Sequence, residues 1–223
     1  MSKGATYSCG SNSFGVLGQA TLEQADKRKK ERQGCVRPVP MPRLKKDVIG
    51  VATGVSHALA WTKTGALYSW GKLQYGCLGF KLSAFDDYIV ETPTYIEALA
   101  DVKILKAGCG DRHSIALTVC GKVYSWGYRE GMPHKSLDGS RRGFYVCDVS
   151  VGSAHSAALS NHGEVYLWGD GQDYCTLQRN QDYLYVPTPG KLLPERKAVR
   201  VACGDAFTVV VTLTKQQFSS ASI

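Results

Sequence analysis

No stretch of this 223-residue chain approaches the roughly 20 consecutive apolar residues that a membrane-spanning helix needs, so no membrane span is expected. The opening MSKGATYSCG holds no apolar core of a secretory signal. That points to an intracellular rather than a secreted chain. Cytoplasm (cytoskeletal or ciliary settings included) and nucleus both stay open. Eight cysteines are present, but no CxxC pair and no Cys–His clustering accompany them, so no metal is expected. Reduced thiols serving as small hydrophobes are the consistent reading. Glycine-rich phosphate loops are lacking as well. Gly108-Cys109-Gly110 and Gly169-Asp170-Gly171 run into neither GK[ST] nor GxGxxG, and no helix follows them, so no cofactor is expected. Cys109 and His113 would not converge along a strand as a nucleophile–base pair.

What is present is ordinary globular composition, 43% hydrophobic and 21% charged, with one unusual charge distribution. The net charge is +8 from 27 basic and 19 acidic side chains. Residues 21–46 hold nine of the basic groups and three of the acids, and so carry six of the eight net positive charges. The centre of that segment is Lys27, Arg28, Lys29, Lys30 and Arg32, which reads as an exposed basic inserted loop. It fits a solvated linker or nuclear address. It equally fits a dock for an acidic surface such as a tubulin tail, chromatin or RNA. Interleaved aromatics are missing, which argues against reading single-stranded bases.

Two half-motifs repeat in step. TYSCG, LYSWG, VYSWG and VYLWG place tyrosine at 7, 68, 124 and 166. ATGVSHALAWT, AGCGDRHSIALT, SVGSAHSAALS and VACGDAFTVVVT place His57, His113, His155 and then Phe207 in one register. Each unit reads as β: a short run of small and β-branched residues, a turn such as KTG, VCG or NHG, and a second strand. Pro-bounded strands (VRPVPM, ETPTYI, YVPTPG) and strands leading into the next motif (KDVIGVAT, VKILKAG, AVRVACG) complete some units. The pattern predicts an all-β array of about four four-stranded antiparallel propeller blades, as a closed small ring or an open arc. The units run about 6–51, 52–106, 107–149 and 150–200. A closing half-unit at 201–212 and a tail at 213–223 complete a single domain over 1–223.

The motif (V/A)xCGxxHSxALTxxGxVYxWG is met almost throughout by AGCGDRHSIALTVCGKVYSWG at 107–127, and the following turn by GSNSFGVLG and GKLQYGCLG. On these residues the sequence resembles the regulator of chromosome condensation repeat family. The resemblance implies a propeller used as a binding platform. It also sets out the departures. Family propellers typically have seven blades and this chain holds four units; the third unit lacks the LG turn; Cys9 stands where the others have Trp70, Trp126 and Trp168. In the family's founding member, acidic residues on one face displace nucleotide from a Ran-type GTPase, one of them at the GDxH position. That position is Asp111 here, and Asp205 matches it in part. A turn aspartate capping backbone N–H groups is the competing reading of both.

The three recurrent tryptophans are expected to pack between blades, and His57, His113 and His155 to hydrogen-bond neighbouring backbone, with no catalytic residue among them. Residues 6–10 and 206–212 are complementary halves whose pairing through strand hydrogen bonds would close the array. Three outcomes stay open: a strained four-bladed ring, an open arc capped by a partner, and two chains exchanging terminal strands. Contact loops are expected at 79–92, 128–145 and 171–186, the second carrying Arg141 and Arg142. The function expected is a non-enzymatic interaction scaffold, a subunit of a larger intracellular assembly with protein partners. The alternative is a guanine-nucleotide exchange factor for a Ran-type small GTPase with chromatin contact.

Overall fold

A computed structural model describes residues 5–19, 34–44, 47–80, 88–127, 130–138, 143–170, 183–190 and 196–213. Among the described residues five antiparallel sheets follow one another along the chain. Three are complete blades. The first is β3 (Val48–Thr53), β4 (His57–Thr62), β5 (Leu67–Leu73) and β6 (Tyr88–Tyr95). The second is β7 (Ile104–Cys109), β8 (His113–Thr118), β9 (Val123–Gly127) and β10 (Glu130–Leu137). The third is β11 (Val146–Val151), β12 (His155–Ser160), β13 (Val165–Asp170) and β14 (Tyr183–Gly190). Two half-blades flank them: β1 (Tyr7–Gly10) with β2 (Cys35–Pro40), and β15 (Ala198–Cys203) with β16 (Thr208–Thr212). One 3₁₀ turn, Glu97–Leu99, follows β6.

Residues 6–10 and 206–212 do not pair within the chain, so of the expected forms the closed four-bladed ring is not the one seen. Among the described residues β1 pairs with β2 and β16 with β15, and the array is open. Each terminal sheet therefore keeps one inner strand without a neighbour among the described residues. The loop expected at 128–145 is also corrected, because it contains β10. Likewise β6 and β14 begin inside the loops expected at 79–92 and 171–186. Every fourth strand is an outer edge, and there the prolines gather (Pro38 and Pro40, Pro93, Pro133, Pro187 and Pro189). An edge strand tolerates a residue with no N–H to donate.

The same register recurs in each inner hairpin: His57, His113 and His155 lie opposite Gly71, Gly127 and Gly169. Those glycines have φ of 113°, 108° and 120°, and a Cβ on any of them would stand 2.6 Å from the facing histidine Cα. Only glycine fits there. Each first strand carries a bulge near its start, at Val48/Gly50, Ile104/Lys106, Val146/Asp148 and Ala198/Arg200.

No single core forms; the apolar clusters lie between blades. Leu59 and Leu67 of the first blade meet Ile104, Ala107, Ala116 and Trp126 of the second. Ile115, Leu117 and Val123 of the second meet Val146, Val149, Ala158 and Trp168 of the third. Each blade thus offers a ridge of branched side chains forward and alanine with tryptophan backward. Burying each large side chain at such an interface contributes about 1.5–3 kcal/mol. The array behaves as a stack in which each blade is stabilised by its neighbours.

Candidate functional site: the glycine rim

The turns between first and second strands (54–56, 110–112, 152–154 and 204–206) come together at one end of the blades. Glycine makes this approach possible. A Cβ on Gly110 would lie 2.8 Å from the Gly152 carbonyl oxygen, and one on Gly152 would lie 2.5 Å from that of Gly204. The same added atom on Gly110 or Gly152 would stand 2.5 Å from Nδ1 of His113 or His155, whose rings fold back over the turn. Phe207 folds its ring over Gly204 in the same manner.

The histidines do not bond neighbouring backbone through their ring tips, as the sequence suggests. Each reaches a hydroxyl in the next blade: His57 Nε2 to Ser114 Oγ at 2.8 Å, His113 to Ser156 at 2.9 Å, and His155 to Thr208 at 2.9 Å. Ser114 Oγ also lies 2.9 Å from the Cys77 carbonyl, to which it donates. Its oxygen therefore accepts from the His57 Nε2–H, which leaves Nδ1 bare. Nδ1 of all three rings is buried without a partner. Burial pushes His57 down to about 3 and His113 to about 4, each also repelled by the next histidine. Burial lowers His155 too, with Asp205 opposing. At neutral pH the rings are uncharged latches between blades.

The tryptophans form a second series. Trp70 Nε1 donates to the Val16 carbonyl at 2.7 Å, and Trp126 Nε1 to that of Cys77 at 2.9 Å. Both acceptors lie in the turn that follows the preceding blade's third strand, where Gly18 and Gly79 have φ of 64° and 74°.

Asp111 and Asp205 both stand exposed on the rim. The Asp111 N–H donates to the Ser153 carbonyl at 2.8 Å, and Ser153 donates N–H and Oγ–H to the Asp205 carbonyl at 3.1 and 3.0 Å. This backbone chain carries one aspartate to the other. Desolvation first, and then the charge of Asp205, raise the Asp111 carboxyl above its usual range, against the pull of Arg112. The Arg112 guanidinium lies over the Tyr75 ring, 4.6 Å from its centroid. Tyr75 adopts φ 59° in the loop after β5. The rim therefore presents two carboxylates and a stacked guanidinium on a backbone fixed from below.

The far ends of the same strands border an open groove of about 520 Å³, lined by Leu105, Val119, Cys120, Phe144, Tyr145 and Cys147. Hydrogen bonding from Thr118 lowers the exposed Cys120 thiol. Among the described residues no cluster of metal-ligating side chains occurs and no helix is long and apolar enough to cross a membrane. Lys27, Arg28, Lys29, Lys30, Arg32, Arg141 and Arg142 lie outside the described residues. The hydroxyl partners of the histidines were missed in the sequence. The signal was the residue after each histidine position, Ser114, Ser156 and Thr208.

Comparison with known proteins agrees with this architecture. The model of the regulator of chromosome condensation (RCC1) repeat matches residues 3–61, 64–117 and 162–211, and a second model of that repeat matches 146–175. The human E3 ubiquitin-protein ligase HERC2 is 35% identical over 126 residues, 56% of this chain and 2% of that protein. The mouse secretion-regulating guanine nucleotide exchange factor is 35% identical over 130 residues, 56% of this chain and 26% of that protein. Prp20p from Saccharomyces cerevisiae, whose structure was described with its binding to Gsp1p and histones, superimposes with a TM-score of 0.75 at 26% identity. That match covers 95% of this chain and 53% of Prp20p, so the chain spans about half of that structure, and its matches cover 2% and 26% of the two curated relatives.

Proposed function

Since the chain belongs to the regulator of chromosome condensation (RCC1) repeat family, we propose that it is a non-enzymatic interaction scaffold, working inside the cell as a subunit of a larger assembly. The observation that carries this reading is the fate of the repeated polar side chains. The three histidines are buried, neutral and committed to holding blades together, so they are not available for proton transfer at a substrate. What faces outward is the rim, with Asp111, Arg112 and Asp205 on a backbone that neighbouring blades pin. A rigid scaffold displaying fixed charges recognises a partner at low ordering cost. The basic segment around Lys27–Arg32 would add attraction to an acidic surface, such as a tubulin tail, chromatin or RNA.

A second reading is favoured by one observation, the adjacency of Asp111 and Asp205. Two carboxylates set side by side could oppose the phosphates of a nucleotide bound to a small GTPase of Ran type, and so promote its release. Such exchange needs no covalent chemistry. The experiment that tests both is release of fluorescent GDP from a Ran-type GTPase with the chain and with Asp111→Ala. The scaffold reading expects no acceleration at micromolar protein. Acceleration that Asp111→Ala abolishes would replace it with the exchange reading.

A further inference from the structure

The open groove between the second and third blades brings a nucleophile, an apolar lining and unpaired cations together at the end away from the rim. We propose that it is a site of S-acylation, where Cys120 takes the acyl group of an acyl-coenzyme A thioester. Both blades that build it are complete four-stranded sheets. The inference goes beyond the scaffold reading and does not depend on it.

Three observations carry it. The first is a local break in the repeat. A Cβ on Gly65, Gly121 or Gly163 would strike Lys103, Tyr145 or Lys197 of the next sheet, which fixes the three junctions as equivalent. At the junction before the groove the places of Val119, Cys120 and Tyr145 hold Lys63, Thr64 and Lys103. At the junction after it they hold Asn161, His162 and Lys197. This one junction is apolar where its equivalents are polar. Leu105, Val119 and Tyr145 are each about half exposed around it. Its volume of about 520 Å³ lies within the range of small-ligand sites, about 300–1,000 Å³.

The second is an activated sulfur beside an unactivated one. Thr118 is buried, and its Oγ1 accepts the Lys122 N–H at 2.9 Å and lies 3.1 Å from Cys120 Sγ. The hydroxyl proton is therefore available to a Cys120 thiolate, and the charge of Lys122 favours that form as well. In the first blade the same turn joins Thr62 Oγ1 to Thr64 Oγ1 at 2.8 Å, so the sulfur replaces a hydroxyl in a geometry the repeat already builds. Cys147, which also lines the groove, gives its S–H to the Leu159 carbonyl at 3.2 Å and is raised by burial and by Asp148. It stays a thiol.

The third is charge. On the lining segments 103–106, 118–122 and 143–148 the charged residues are Lys103, Lys106, Lys122 and Asp148. Lys106 holds Asp148 at 2.6 Å, whereas Lys103 and Lys122 have no ion pair among the described residues. An apolar slot beside two unpaired cations complements a ligand that joins a hydrocarbon chain to phosphates. The transfer balances by itself. The Cys120 thiolate adds to the thioester carbonyl carbon, the bond from that carbon to the coenzyme A sulfur breaks, and the departing thiolate takes up the proton that Cys120 released. One thioester replaces another, and the acyl chain covers Leu105, Val119 and Tyr145.

The test is incubation of the purified chain with lauroyl- or acetyl-coenzyme A, read by intact mass and by mapping of hydroxylamine-sensitive peptides. One lauroyl group on Cys120 is expected. It should form faster than the acetyl adduct by roughly tenfold or more, the worth of burying two methylenes. Val119→Asn with Tyr145→Gln, at exposed positions and without change of charge, is expected to bring the lauroyl rate down to the acetyl rate. Lys103→Gln with Lys122→Gln is expected to slow both thioesters. No adduct, acylation spread over the cysteines, or equal rates for the two chain lengths in the parent overturns the proposal. So does a lauroyl preference that survives the groove variant, or a rate that the loss of both lysines leaves unmoved.

Discussion

Ser114→Ala isolates the blade latch, because one hydroxyl there serves two partners that fail differently. His57 and Ser114 are both fully buried. The Ser114 hydroxyl accepts from His57 Nε2 and donates to the Cys77 carbonyl, which also receives the Trp126 indole N–H at 2.9 Å. Removing the hydroxyl leaves Cys77 with its second donor but strands the His57 N–H in an apolar interface. An orphaned buried donor costs about 1–3 kcal/mol. His57→Phe is the milder change despite its chemistry. The ring can fold over the turn as Phe207 does over Gly204, and Ser114 still donates to Cys77. Only the net value of one hydrogen bond is lost, about 0.5–1.5 kcal/mol. Combining the two should cost little more than His57→Phe alone, since the donor that Ser114→Ala strands is gone.

Urea unfolding at pH 7.5 followed by tryptophan fluorescence measures these differences, with Trp126 reporting from the same interface. Acid supplies an independent arm. The folded-state values of His57 and His113 lie below that of a free imidazole, so the unfolded chain binds more protons. Stability is complete above about pH 6.5 and is lost as pH falls, toward about 4 for His113 and about 3 for His57, by up to about 1.4 kcal/mol per pH unit for each ring. His57→Phe should remove one ring's share of that slope. A Ser114→Ala chain within about 0.5 kcal/mol of the parent, strict additivity of the pair, or stability that is flat from pH 7 to 5 would refute the latch.

Gly110→Ala should destabilise by about 1–3 kcal/mol, because the new methyl meets the His113 ring and the Gly152 carbonyl together; an unchanged urea midpoint would show that the rim is not close-packed. Among the described cysteines, Cys120, exposed and with its thiol lowered, should alkylate first with iodoacetamide. Cys77, fully buried and pushed up to about 12, should stay protected until the chain unfolds. Equal labelling rates in mass spectra of folded protein would contradict that environment.

Repetition made the inner hairpins readable, because both half-motifs keep a fixed register and glycine recurs where only glycine fits. β10 escaped because EGMPHKSL has neither the alternation nor the flanking prolines of VRPVPM and YVPTPG, and its pairing with β9 is twice displaced. The histidines' true partners lie 57, 43 and 53 residues further along the chain. A motif read unit by unit looks for a partner inside its own turn and so settles on backbone. The sequence does not say how the ends meet, for a related reason. The strand pattern says which edges are complementary, but the angle between wedges depends on how Leu59 or Ile115 seats against the next blade, which no local pattern encodes.

The latch and the proposed display site occupy the same few residues, and this bears on how such a rim would work. Asp111 stands between Gly110, which permits the close approach of blades, and the Arg112–His113 pair, whose imidazole ties its blade to Ser156 of the next. Its own N–H is held by Ser153, which in turn holds Asp205. The position of either carboxylate is thus set by two interfaces at once. Loosening one latch would move a charge as well as weaken a contact. A partner that reads both aspartates therefore senses whether neighbouring blades are docked. Affinity and blade packing should accordingly fall together in latch variants, whereas Asp111→Ala should remove affinity and leave packing as it was.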